Sequence, residues 1–282
     1  MSKTSRADRI QLLQKVTAKN FTPILPPEDR SVLETLLYAC CLEDAPYDAA
    51  DEAFGRLQES YFDWNEVRVT TITELSETLH NLPNPRAAAI RIKKNLQSIF
   101  ETRYSFDLED LRKLNQGKAV QELEKLAGMT RFVLGYVVQH ALGGHAVPVS
   151  ESIMNLLRML EIVSEAEAAK GQTPGLERTI PKTKGIDFAS QLHQFAVAVA
   201  QSPNSSKLKT ILKDAGYVPP ATNENVTTGE EETKPGPAKP KPPKKKSSAK
   251  SKAVTKNSSA TKKKTAPSAK KKTGKTAKKK PR

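Results

Sequence analysis

The sequence predicts an all-α body followed by a lysine-rich tail that does not fold when free. Three observations lead there. Apolar residues recur at three- and four-residue steps through most of the first 217 positions, no convincing series of alternating apolar and polar residues marks strands, and the last 49 residues use almost only Lys, Ala, Ser, Thr and Pro. Roughly nine or ten helices are expected.

Taken in order, Val32, Leu33, Leu36, Leu37, Cys40 and Cys41 make one helix face over 31–42, behind the start signal Pro26-Pro27-Glu28-Asp29. Ile72, Leu75, Leu79 and Leu82 repeat the pattern until Pro83 and Pro85 break it. Residues 86–100 resume it with Ile90, Ile92, Leu96, Ile99 and Phe100, and Arg86, Arg91, Lys93 and Lys94 supply the polar face. Further helices are expected at 120–126, 132–142 and 151–162, and through Phe188, Leu192, Phe195 and Val199. The 132–142 stretch is apolar nearly all round, which marks a central, buried helix. Gly171, Pro174, Gly175 and Pro181 make 166–186 read as loop. Pro219-Pro220 opens a polar linker, 219–233.

Charge divides the chain. It holds 46 Lys+Arg and 31 Asp+Glu, a net +15; from Lys234 onward there are 19 Lys, one Arg and no acid, which leaves the first 233 residues with 26 basic and 31 acidic groups. A mildly acidic body thus carries a strongly basic tail, 234–282, too polar to offset the entropy of ordering. Its 49 residues reach at most roughly 150 Å extended and about 40 Å as a coil.

Other classes find no support. No apolar run approaches the ~20 residues of a membrane span, and Met1-Ser2-Lys3-Thr4-Ser5-Arg6 is not followed by a signal-peptide apolar stretch, so an intracellular protein without membrane partners is expected. Cys40 and Cys41 are adjacent and read as small core residues in a reducing compartment. His80, His140, His145 and His193 lack metal-ligand spacing and read as helix or surface residues, so no metal site is expected. Trp64, Tyr61 and Phe62 read as a core cluster. No P-loop, dinucleotide fingerprint or nucleophile elbow occurs.

The most informative residues are 126–160. Leu126-Ala127-Gly128-Met129-Thr130-Arg131 joins two helical patterns through a short turn; Gly143-Gly144-His145-Ala146-Val147-Pro148-Val149-Ser150 then leads into another helix. This order resembles the helix-hairpin-helix DNA glycosylase superfamily of endonuclease III type, whose members read approximately L-P-G-V-G-R-K-T-A, an apolar helix, then a small-residue turn and P-V-D-T-H. Val32 to Cys40 is similar to that family's early core helix, and the Asn84 to Phe100 stretch to its helix following N-x-K-A. The resemblance spans about 31–217. It implies a bilobal helical body over 1–218, with a middle lobe at about 43–145 and a second lobe from about 1–42 plus 146–218.

The resemblance also implies that the hairpin residues Gly128, Met129, Thr130 and Arg131 bind DNA by aiming backbone N–H groups at a phosphate, with a monovalent cation at the turn as a further expectation and no other cofactor. The chain departs from the pattern at several positions. Ala127 replaces the proline and Thr130 the second glycine. Phe132 stands where bifunctional members have an amine nucleophile, and Ser150 where the family's aspartate stabilises developing positive charge. Both catalytic positions are therefore empty, and Glu151, one residue on, is the remaining acid candidate. The cysteines that hold an iron–sulfur cluster in many members have no counterpart in 198–215.

In the tail, Lys244-Lys245-Lys246, Lys262-Lys263-Lys264, Lys270-Lys271-Lys272 and Lys278-Lys279-Lys280 are spaced by small residues. This resembles linker-histone tails and the lysine-rich extensions of some bacterial DNA-associated proteins. Such clusters release counterions from a phosphate backbone without reading sequence, so with about ten charges engaged log K falls against log salt with a slope near −9. The expected partner is duplex DNA, with RNA as an alternative, in nucleoid-associated cytoplasm or a nucleus. Three functions are expected to compete: a catalytically degenerate DNA-binding relative of base-excision-repair glycosylases, an active monofunctional glycosylase using Glu151 or another acid, and a chromatin-like architectural protein whose body binds a protein.

Overall fold

Serine caps begin the architecture. Ser5 and Ser31 each accept the N–H three residues on while Asp8 and Glu34 reach back to the cap, and these boxes open α1 (Arg6–Asn20) and α2 (Val32–Leu42). The computed structural model describes residues 5–27 and 29–219, all within one compact unit, Met1–Asn223. The linker from Pro220 onward and every tail lysine singled out above lie outside the described residues.

Next come α3 (Tyr47–Ser60), α4 (Trp64–Val69), α5 (Ile72–Thr78) and α6 (Pro85–Arg103). Asn84 caps α6, proline holds its first position, and Tyr104 closes it in the left-handed region at φ 53°. A 3-10 turn, Glu109–Lys113, leads to α7 (Gln116–Glu124), α8 (Arg131–His140) and α9 (Glu151–Met159). The chain ends in α10 (Glu165–Ala169), α11 (Leu176–Thr179), α12 (Lys182–Gln201) and α13 (Ser206–Asp214). Among the described residues there are 13 α-helices and no strand.

Two groups of packed helices emerge. Around α8, α2 packs against α3, α6 and α8, and α6 also takes α4 and α5. Around α12, α1 and α9 pack directly, with α11 and α13 against α1 and α10 against α9. The long apolar faces are where the sequence places them: Ile92, Leu96 and Ile99 of α6, Val133 and Val137 of α8, and Phe188, Leu192 and Phe195 of α12 are buried. Leu208, Ile211 and Leu212 of α13 also face inward.

The structure corrects several expectations. Residues 166–186 are not a loop, because α10, α11 and the first turn of α12 occupy much of them; Ser164 and Glu167 form a capping box, and helices of five and four residues are too short to show a period. Short α4, α10 and α11 carry the helix count above the expected range. The pattern at 72–82 ends early: Leu79 and Leu82 are buried, yet they sit in a turn beyond α5. Phe62 is 96% exposed and leaves the expected aromatic cluster, whereas Trp64 stacks on Phe54 at 6.2 Å between ring centroids. Cys40 and Cys41 are free and buried, and burial pushes their thiols well up, Cys40 to about 12.

Candidate nucleic-acid interface

The hairpin is built from its two helices inward. Asn115 caps α7, whose Ala119 and Leu123 face the core, and a six-residue connection returns the chain into α8. Gly128 in that connection is buried, and its φ is not positive. A Cβ there would lie 2.4 Å from the Arg91 carbonyl oxygen and 2.8 Å from the Asn95 backbone nitrogen. The glycine therefore serves a close approach to the backbone of α6. A close approach, not a positive φ, is what requires glycine here.

Thr130 replaces the second glycine without disordering the turn. Its hydroxyl oxygen accepts the Val133 N–H at 3.1 Å, which caps α8, and the hydroxyl donates to Glu43 at 3.0 Å. Glu43 lies 3.1 Å from Arg91 Nε, and Arg91 donates to the Cys40 carbonyl at 2.9 Å. Burial raises the Glu43 carboxyl above its usual range, opposed by Arg91 and the Thr130 hydrogen bond. Ala127 N–H donates to Ser98 at 3.0 Å and Met129 N–H to the Leu126 carbonyl at 3.0 Å. The Thr130, Arg131 and Phe132 N–H groups find no acceptor among the described residues. They open the helix end that favours an anion. Arg131 is exposed and has no carboxylate partner among the described residues.

Phe132 and Ser150, the two positions that the resemblance assigns to chemistry, have packing and capping roles. Phe132 is 1% exposed, stacked on Tyr136 and packed against His193 with ring centroids 5.3 Å apart. His193 is also buried; its Nε2 donates to the Ala45 carbonyl at 2.8 Å, and burial pushes its pKa down to about 4, so it is neutral at pH 7. Tyr47 completes the row at 5.3 Å from His193. Ser150 is 3% exposed and caps α9 through the Ile153 N–H at 3.4 Å. Glu151 is exposed in the first turn of α9, where the helix dipole accounts for it.

Sequence reasoning missed one carboxylate. Asp44, in the turn between α2 and α3, holds φ 61°, and its Oδ1 accepts the Ser152 N–H at 2.9 Å. A negative charge thus still reaches the N-terminus of α9, supplied from another element. The sequence signal was only the Glu43-Asp44 pair closing α2. Also missed was the division of charge inside the body. Residues 43–80 carry ten acidic and two basic side chains, whereas 81–131, with α6, α7 and the hairpin, carry ten basic and six acidic.

The region 198–215, read against a cluster-binding loop, forms the end of α12 and all of α13, held by apolar packing. No group of three or more His, Cys, Asp or Glu suited to a metal occurs among the described residues.

This arrangement is the helical fold of DNA glycosylases, and more narrowly that of endonuclease III. The chain is similar to the structure of a non-covalent endonuclease III–DNA complex, with 18% identity over 75% of this chain and 97% of that one, at a TM-score of 0.52. It is similar too to a trapped endonuclease III–DNA covalent intermediate, with 20% identity over 68% and 86% of the two chains, at 0.51. No family model and no curated protein matches the sequence.

Proposed function

We propose that this chain is a DNA-binding protein that has kept the endonuclease III fold and has given up base excision. The observation that carries the reading is the contrast across Arg131 and Phe132. On one side an exposed arginine and open N–H groups offer a phosphate site; on the other, the side chain at the nucleophile position is buried among aromatic rings. The carbonyls of Ala127 and Gly128 make no hydrogen bond among the described residues, which fits the hard oxygen donors a monovalent cation would take at the turn. The tail adds sequence-independent affinity through counterion release.

Anisotropy titrations of duplex DNA against salt test this reading, using the full chain and a chain ending at residue 233. The full chain is expected to show a steep negative slope, and the shortened chain a shallow one with residual binding that Arg131→Ala abolishes. Loss of all binding on shortening would instead support the architectural reading, in which only the tail touches DNA.

A second reading, an active monofunctional glycosylase, is favoured by Asp44 at the N-terminus of α9. Release of a damaged base by the full chain, lost in Asp44→Asn and kept in Glu151→Gln, would establish it and refute the first.

A further inference from the structure

The end of α13 shapes an open apolar groove. Gly216 lies in the left-handed region at φ 93°, and the Gly216 and Tyr217 N–H groups donate to the Lys213 and Leu212 carbonyls at 3.0 and 2.9 Å. This reversal sets Tyr217 and Val218 against a groove of about 780 Å³, whose other apolar side chains are Met159 of α9, Val199 of α12 and Leu212 of α13. The apolar surface stays in contact with water, since Val218 is 80% exposed. Lys209 and Lys213 also face the groove. They stand four residues apart on one side of α13, both exposed, and neither has a carboxylate partner among the described residues. An apolar floor with two free ammonium groups is complementary to an apolar side chain surrounded by carboxylates.

The body carries such a feature elsewhere. Phe62, in the turn between α3 and α4, is 96% exposed, the most exposed large apolar side chain among the described residues. Its turn is fastened: the Phe62 N–H donates to Glu66 at 2.7 Å, and Asp63 accepts the Glu66 N–H at 2.8 Å. Glu59, Asp63 and Glu66 lie within four positions of Phe62 in the chain, are exposed, and have no basic partner among the described residues. A ring at such a tip removes about 150–250 Å² from water when it is covered. Phe62 and the groove do not meet within one copy, because the ring is left almost wholly in solvent.

We propose that the Phe62 turn of one copy seats in the α13 groove of a second copy, with Glu59, Asp63 and Glu66 facing Lys209 and Lys213. The two surfaces differ, so the contact is heterologous: each copy keeps one unused turn and one unused groove, and assembly proceeds head to tail. One ring and its charged rim bury less than the roughly 1,200 Å² of a stable interface, which makes the contact weak and reversible. The hairpin takes no part, and the proposal stands apart from DNA binding.

Sedimentation equilibrium of the full chain without DNA, at about 0.15 M salt, tests it. The average mass is expected to rise above the monomer between about 10 μM and 1 mM. Phe62→Ser, and Lys209→Glu with Lys213→Glu, alter exposed side chains; each variant is expected to keep the Tm and to weaken association at least about tenfold. Mixing the two variants restores a single contact, because the first retains its groove and the second its Phe62, so a one-to-one dimer and no larger species is expected. A wild-type chain that stays monomeric, association that either variant leaves intact, as contact through the basic tails would, or a mixture that stays monomeric would overturn the proposal.

Discussion

Placing a lysine at position 132 gives the sharpest test of whether the position that the resemblance assigns to a nucleophile is closed. Phe132 is 1% exposed and packed against the rings of Tyr136 and the neutral His193, so Phe132→Lys places an ammonium against two uncharged rings. Full burial lowers a lysine pKa by about 3–5 units; at about 1.36 kcal/mol per unit, and capped at pH 7 by the cost of deprotonation, keeping it in place costs about 4–5 kcal/mol. Lost packing of the ring adds to this. At about 2–4 °C per kcal/mol for a body of this size, Tm should fall by at least about 8 °C. Borohydride trapping on abasic-site DNA should yield no cross-linked complex. A variant of wild-type Tm that traps DNA would refute the reasoning, because it would mean that the pocket is open and the lysine free to reach a sugar.

Three further expectations follow from the same geometry. Gly128→Ala drives a methyl against the Arg91 and Asn95 backbone and should cost about 3 kcal/mol, seen as a lower urea midpoint; an unchanged midpoint would show that α6 yields easily. Arg131→Ala should leave Tm unaltered, weaken duplex binding evenly across sequences and reduce the salt slope by about one, measured by anisotropy. His193 has its pKa depressed to about 4 in the folded state, below the ordinary 6.5. Protons therefore load the unfolded chain first as pH falls through 6.5. Its contribution is complete above that pH and declines toward 4, by about 1.4 kcal/mol per unit. Urea titrations at pH 7 and 5 should show this decline, and His193→Gln should flatten it.

The fold was legible where apolar periods are long. Residues in α2, α6, α8 and α12 run far enough to display one face, and their burial follows. It was illegible at α10 and α11, whose order comes from the Ser164–Glu167 cap and from packing on neighbours rather than from periodicity. For the candidate site, Phe132 and Ser150 drew attention only through the resemblance, which sets them at positions where other residue types would carry chemistry. Their burial, and the arrival of Asp44 at Ser152 across 108 positions of sequence, depend on tertiary contacts that no local pattern encodes. The same is true of Gly128, where the presence of glycine was visible but the neighbour requiring it was not.

The contact of Gly128 with α6 bears on the thermodynamics of association. A surface loop that binds a phosphate ordinarily loses conformational freedom as it does so, and this loss opposes affinity. Here the turn already rests on a helix backbone, its flanks fastened by Ser98 and by the Thr130–Glu43–Arg91 chain. Little entropy remains for the hairpin to lose on contact. On the proposed reading, a phosphate contact at this turn would therefore cost little ordering, and its strength would be set by one arginine and a helix end.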